Sequence, residues 1–194
     1  MVNKYIVINI LDMVDAIGEE PLSKVLSDFS CPKNEEIEEF VQNKALDFAR
    51  QKISITYLVM DKQMELCAIF TLAHKSIDIS VDGLSSGIVR KIRRYATYNK
   101  ETQTYTLSAF LIAQLGKNYR DNSADIRGND LMELTFTILK EVQHAVGGGI
   151  VFLECEEETK LICFYENEHN GFRRFGTRYS SKDNTKYLQL LRAF

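Results

Sequence analysis

The chain of 194 residues is long enough to bury a core of its own and is read as one domain, residues 1–194. With 45% hydrophobic and 26% charged residues it has the balance of a globular protein in water, and no apolar run approaches the roughly 18 residues that span a bilayer. A net charge of −3 argues against a generic nucleic-acid binder, and Met1-Val2-Asn3-Lys4-Tyr5 lacks the pattern of a secretory signal, so a cytoplasmic protein is expected.

Tyr5–Leu11 alternates as a first strand, and Met13–Ser30 reads as short helical pieces broken at Gly18 and Pro21. Glu35–Lys52 is the clearest amphipathic helix. Ile37, Phe40, Val41, Ala45, Phe48 and Ala49 share a face, Asn34 is placed to cap it, and glutamates crowd the first turns where the helix dipole favours them. Ile53–Met60 and Leu66–Leu72 are strands joined by a hairpin at Asp61–Glu65, and Lys75–Val81 adds a short strand. Leu84–Tyr95 reads as a helix with Ile88, Val89, Ile92 and Tyr95 on one side and Arg90, Lys91 and Arg94 on the other. A strand at Tyr105–Leu115, a helix at Asp130–Val146, a strand at Ile150–Cys155, a helix at Thr159–Glu168 and strands at Arg174–Tyr179 and Tyr187–Phe194 complete the chain. This order indicates an α/β domain around one sheet.

Cys31, Cys67, Cys155 and Cys163 form no C-x-x-C pair, and two of them lie in apolar strand-like runs, which points to reduced and mostly buried thiols. His74, His144 and His169 have no i,i+4 pairing, so no metal site is expected.

The segment most informative about chemistry is the loop Gly116–Asn129, which connects a strand to a helix and carries Lys117, Arg120, Arg127 and Gly128. Backbone N–H groups without intrahelical partners point outward at a helix start, and the dipole there favours phosphate. Further on, Phe164-Tyr165-Glu166 is followed by Gly171-Phe172. Earlier, Phe29-Ser30-Cys31 precedes the helix containing Glu39-Phe40-Val41, and Ser54-Ile55-Thr56-Tyr57-Leu58 leads into Ala68-Ile69-Phe70-Thr71-Leu72. In this order the segments resemble the GNAT superfamily of acyl-CoA-dependent N-acetyltransferases, and the first half is similar to its bacterial toxin-type members. The resemblance spans roughly residues 5–180.

The resemblance implies an α/β fold with a GNAT-like mixed central sheet of about seven strands and helices on both faces. It implies acetyl-CoA as cosubstrate, without a metal, in a cleft beside the strand Tyr105–Leu115. The cofactor residues it marks are Ala113, Gln114 and Leu115, whose backbone would pair with the pantetheine amides, then Gly116, Lys117, Arg120, Ile126, Arg127, Gly128, Asn129 and Asp130 around the pyrophosphate, with Phe164 beyond. The loop departs from the family pattern in two places. Asp125 stands where the family has Gln or Arg, and Asp130 stands where it has a second small residue. A carboxylate at a helix start is a good cap but repels phosphate, and Lys117, Arg120 and Arg127 would have to offset it.

Tyr165 is the catalytic residue the resemblance implies. A phenol of pKa near about 10 can protonate the departing thiolate, and the alternative is a tyrosine that only packs against Phe164. Glu154, on the strand Ile150–Cys155, could act as general base through water, as could Glu156. The basic run Arg90, Lys91, Arg93 and Arg94 is either a solvated face or a docking surface for an antitoxin or a tRNA. The function expected is acetyl transfer to a primary amine by direct attack. The alternatives are a tRNA-acetylating toxin of a toxin–antitoxin pair and a non-catalytic binding module with a degenerate cofactor loop. The expected partners are an amine acceptor, that antitoxin or tRNA, and a second copy of the chain, with no membrane.

Overall fold

The computed structural model describes residues 4–82, 84–120, 126–181 and 184–194. Among them are eight strands and seven helices, and the strands follow the order β1-β2-β3-β5-β6-β8-β7 with β4 on β5. The described residues fall into two compact units, one of Met1–Ala73 with Ile112–Ile138 and one of His74–Leu111 with Leu139–Phe194.

In the first unit β1 (Ile6–Asn9) pairs antiparallel with β2 (Ile55–Met60), and β2 with β3 (Leu66–Ser80). The first strand ends sooner than expected because Asn9, its last ladder residue opposite Tyr57, also caps α1 (Ile10–Ile17), its Oδ1 accepting from the Leu11 amide at 2.9 Å. Gly18 (φ 85°) then separates α1 from α2 (Glu19–Ser27). Pro21 breaks nothing. It sits in the first turn of α2, where a missing N–H costs no helical hydrogen bond.

The long helix expected over Glu35–Lys52 is two helices, α3 (Glu35–Asn43) and α4 (Ala45–Arg50), parted at Lys44 (φ −130°). Asn34 caps α3 as expected, accepting from the Ile37 amide at 3.1 Å. The break leaves Phe40 edge-on to Phe48, with centroids 5.6 Å apart, and keeps Val41, Ala45 and Ala49 all fully buried. They join Ile10, Leu22, Leu58 and Ile69 in this unit's core. Burying such side chains is worth about 1.5–3 kcal/mol each for the larger ones.

β3 runs on where two strands were expected, because no Gly, Pro or Asn stands between Leu72 and Ile77 to turn the chain. The second unit takes its far half, together with α5 (Ser86–Ile92), β4 (Ala96–Asn99) and the first part of β5 (Thr104–Lys117). β4 was not anticipated. It pairs antiparallel with β5 from Ala96↔Leu107 to Asn99↔Thr104. The helix α6 (Gly128–Val146) buries Leu131, Met132, Leu134, Thr135, Phe136 and Leu139, one stripe at helical spacing. β6 (Ile150–Glu156) pairs parallel with β5 at Phe110↔Val151 and Leu111↔Phe152, and antiparallel with β8 (Thr185–Ala193) along its whole length. β7 (Arg173–Ser180) pairs with β8, and α7 (Thr159–Glu166) lies between β6 and β7 in the chain. Ile79, Ile92, Tyr105, Leu107, Ile150 and Leu191 form this unit's core. No helix among the described residues is long and apolar enough to cross a membrane.

Candidate active site

The strand–loop–helix segment lies in the first unit. Along the end of β5, Ala113 is exposed, Gln114 and Leu115 are half-buried, and Gly116 is buried. A Cβ on Gly116 would stand 2.8 Å from Ile37 Cγ2 and 3.3 Å from Phe29 Cζ. The small residue here is thus required by packing against α3 and the Phe29 segment, independently of any phosphate. Gly116→Ala is expected to cost about 1–3 kcal/mol through overpacking, measured by chemical denaturation, with a stability loss larger than any loss of acetyl-CoA affinity.

Directly after β5 the chain is held by Asn118, which is 5% exposed. Its Oδ1 accepts from the amides of Ser30 (3.0 Å) and Arg120 (3.1 Å), its Nδ2 donates to the Leu66 carbonyl (2.8 Å), and its own amide donates to Cys67 (2.9 Å). Tyr119 adds an amide bond to the Ser30 carbonyl at 2.8 Å. This clamp was not legible beforehand, because an asparagine after a strand reads only as a loop residue.

The cations of the loop are differently placed. Lys117 Nζ lies 5.8 Å from the Tyr119 ring centroid, and the Arg120 guanidinium is ion-paired with Asp28. Arg120 was expected to face phosphate, and here the nearer carboxylate takes it. Arg127 is exposed, and Ile126 is wholly buried, anchoring the entry to α6. Asp125 lies outside the described residues.

Asp130 caps in the reverse sense from the one expected. Its Oδ2 accepts from the backbone amide of Arg127 at 3.3 Å, while the Arg127 carbonyl accepts from Leu131 at 3.0 Å. The carboxylate therefore reaches back from the third helical position, as in one half of a capping box. Gly128 is half-buried and Asn129 exposed at this helix start. The residues thus suit a phosphate in part: a nineteen-residue helix start with Lys117 and Arg127 near it in sequence, and one carboxylate in its first turn.

Tyr165 lies in the second unit, on the last turn of α7. Its ring meets Phe164 at 4.9 Å and Phe172 at 5.9 Å, both edge-on, and Phe172 is fully buried. Among the described residues the Tyr165 hydroxyl has no hydrogen-bond partner. Burial pushes its pKa well above the ordinary phenol range, and the nearby Cys155 thiol on β6 pushes in the same direction. The phenol is therefore protonated at neutral pH and its O–H is available to donate. Cys155 is itself pushed up to about 11 by burial, against the opposing effect of Arg174.

Glu154 has both oxygens engaged, Oε2 by Arg178 Nε at 2.7 Å and Oε1 by Gln189 Nε2 at 2.8 Å. To serve as a base it would have to release one of them. Glu156 is exposed at the end of β6.

Arg90 and Lys91 on α5 and Arg94 in the turn after it are exposed, and among the described residues none has an ionic partner. Arg93 is committed: its Nε donates to the Tyr105 hydroxyl at 2.8 Å.

No family model matches the sequence, and no curated protein matches it. Solved structures do. The crystal structure of a tyrosine-to-phenylalanine mutant of KacT is 16% identical, with a TM-score of 0.65 over 98% of this chain and 95% of that one. AtaT complexed with acetyl-methionyl-tRNAfMet is 16% identical, with a TM-score of 0.63 over 95% of this chain and 93% of that one. The chain has the GNAT fold. A third structure, AtaTR bound with AcCoA, is 15% identical and aligns at a TM-score of 0.59 over 98% and 94% of the two chains. The GNAT likeness thus runs nearly end to end, and at these identities it concerns the fold.

Proposed function

We propose that this GNAT-fold chain is an acetyl-CoA-dependent N-acetyltransferase acting on a primary amine. The observation that carries the reading is Tyr165: a protonated phenol, clamped between Phe164 and Phe172, with no partner for its hydroxyl among the described residues. Likeness to a structure bound with AcCoA supports the donor.

In the reaction the amine nitrogen attacks the acetyl carbonyl carbon, and backbone N–H groups near Leu115 polarise the carbonyl oxygen. The C–S bond then breaks, the CoA thiolate takes the Tyr165 proton, and the new amide nitrogen loses its proton to water. Solvent reprotonates the phenol. No covalent enzyme intermediate is formed. The pyrophosphate is assigned to Gly116, Lys117 and Arg127–Asp130. Glu154 is left out of the chemistry, because its carboxylate holds Arg178 and Gln189.

Binding of acetyl-CoA to the folded chain raises its stability by mass action. At about a hundredfold excess over Kd the gain is about 2.7 kcal/mol, or a melting shift of about 5–10 °C. No shift with either acetyl-CoA or CoA would instead identify a non-catalytic module with the same fold.

One observation favours a more specific acceptor. Arg90, Lys91 and Arg94, exposed and without an ionic partner among the described residues, suit RNA phosphates, which agrees with an aminoacyl-tRNA as the amine. Replacing all three by glutamine should lower the slope of log affinity for bulk aminoacyl-tRNA against log salt by about 2–3. An unchanged slope would return α5 to a solvated face.

A further inference from the structure

Both peptide planes that flank Tyr165 are held by groups outside α7. The Phe164 carbonyl, in the plane before Tyr165, accepts from two side-chain amides, Asn167 Nδ2 and Asn170 Nδ2, each at 2.7 Å. The Tyr165 carbonyl, in the plane after it, accepts from the Phe172 amide at 3.1 Å. Last-turn carbonyls of a helix have no intrahelical partner and are otherwise left to water. Here they are satisfied by a turn that is itself tightly bonded. Asn167 Oδ1 accepts from the Asn170 amide (2.7 Å), the Gly171 amide donates to the Asn167 carbonyl (2.8 Å), and Gly171 takes φ +67°, a conformation that favours glycine. Asn170 is fully buried. From β8, Arg192 Nη1 donates to the Asn170 carbonyl at 2.8 Å and to the His169 carbonyl at 3.4 Å, tying the turn to the sheet.

An ordinary helix C-cap bonds one or two last-turn carbonyls with backbone amides, whereas here the Phe164 carbonyl is held by two side-chain amides, one of them from the buried Asn170. The turn fixes the backbone on both sides of a single residue, and that residue's ring is further seated against Phe172. We infer that Asn170 is a positioning residue for Tyr165, with Arg192 as its anchor on β8, and that the Asn167–Gly171 turn sets the depth and direction of the phenol. The inference rests on Tyr165 as the proton donor. A donor displaced by about 1 Å can lose about 10²-fold in rate, so a rigid mount has chemical value.

The test is NMR of the full chain labelled with ζ-13C tyrosine, with the Tyr165 resonance assigned by its loss in Tyr165→Phe. In the wild type this resonance is expected to keep the protonated form to higher pH than an ordinary phenol. In Asn170→Ala and in the isosteric Asn170→Asp, which places an acceptor where the Phe164 carbonyl needs a donor, the ring is expected to become solvated and titrate near about 10. Arg192→Gln keeps the asparagine and loosens only its anchor, so a smaller change in the same direction is expected, and this variant carries the test if the Asn170 variants do not fold. A purely structural turn would lower the melting temperature and leave the Tyr165 titration as in the wild type. That result in Asn170→Ala, or in Arg192→Gln if Asn170→Ala does not fold, overturns the inference. The proton-donor reading is judged separately by the turnover of Tyr165→Phe, so the two failures are distinguishable.

Discussion

Tyr165→Phe is expected to lower acetyl transfer from acetyl-CoA to its amine acceptor by about 10²–10⁴-fold, the usual worth of a positioned general acid. The substitution removes only the hydroxyl. The ring still meets Phe164 and Phe172, and among the described residues the hydroxyl has no bond to lose, so melting temperature and acetyl-CoA affinity should stay near wild type. A residue that stabilises only the transition state lowers kcat and kcat/KM together, and this is the pattern to look for in steady-state kinetics. Turnover within about twofold of wild type would make Tyr165 a packing residue, because even the weakest general acid contributes far more.

The second large effect is on stability. Asn118→Ala removes one side chain and leaves the amides of Ser30 and Arg120 and the carbonyl of Leu66 without their partner. Each buried polar group so abandoned costs about 1–3 kcal/mol, less where water can enter. A loss of about 3 kcal/mol or more in ΔG of unfolding is expected by urea denaturation, which for a small domain is a large share of about 5–15 kcal/mol. Acetyl-CoA affinity should fall as well, since Asn118 holds the chain where it leaves β5 for the loop proposed to take the pyrophosphate. A loss below about 0.5 kcal/mol would mean that water replaces the asparagine without penalty.

Much of the fold was written in local patterns. Alternation in Ile55–Met60, the helical stripe from Leu131 to Leu139, and the hairpin residues Asp61–Glu65 each specify their element from neighbours in the chain. Boundaries moved where a side chain had two uses. Asn9 fits the end of a strand by pattern but serves as a cap, and Lys44 lies within an apolar period yet parts two helices. Beta strand β4 escaped notice because Ala96–Asn99 has no apolar face to betray it, its residues being mostly exposed.

The site was legible in its signature and not in its wiring. Phe164-Tyr165-Glu166 with Gly171-Phe172 marked the tyrosine from residue order alone, and the helix expected from Asp130 begins two residues earlier, at Gly128. What Arg120, Glu154 and Gly116 do depended on partners brought from elsewhere: Asp28, Arg178 and Gln189, and Phe29 with Ile37. The Asn118 clamp joins residues 88 and 52 positions apart, and Arg192 reaches its turn across 22.

The sequence by itself determined most of the elements and their approximate order around a mixed sheet, and it marked Tyr165 as the candidate proton donor, because periodicity, capping and a contiguous signature are short-range properties of the chain. Only the tertiary structure decided which charges are already paired and which backbone groups hold Tyr165 in place. A hydrogen bond or an ion pair needs its partners within about 3–4 Å, and that closeness is created by folding and leaves no mark on the spacing of residues in the chain.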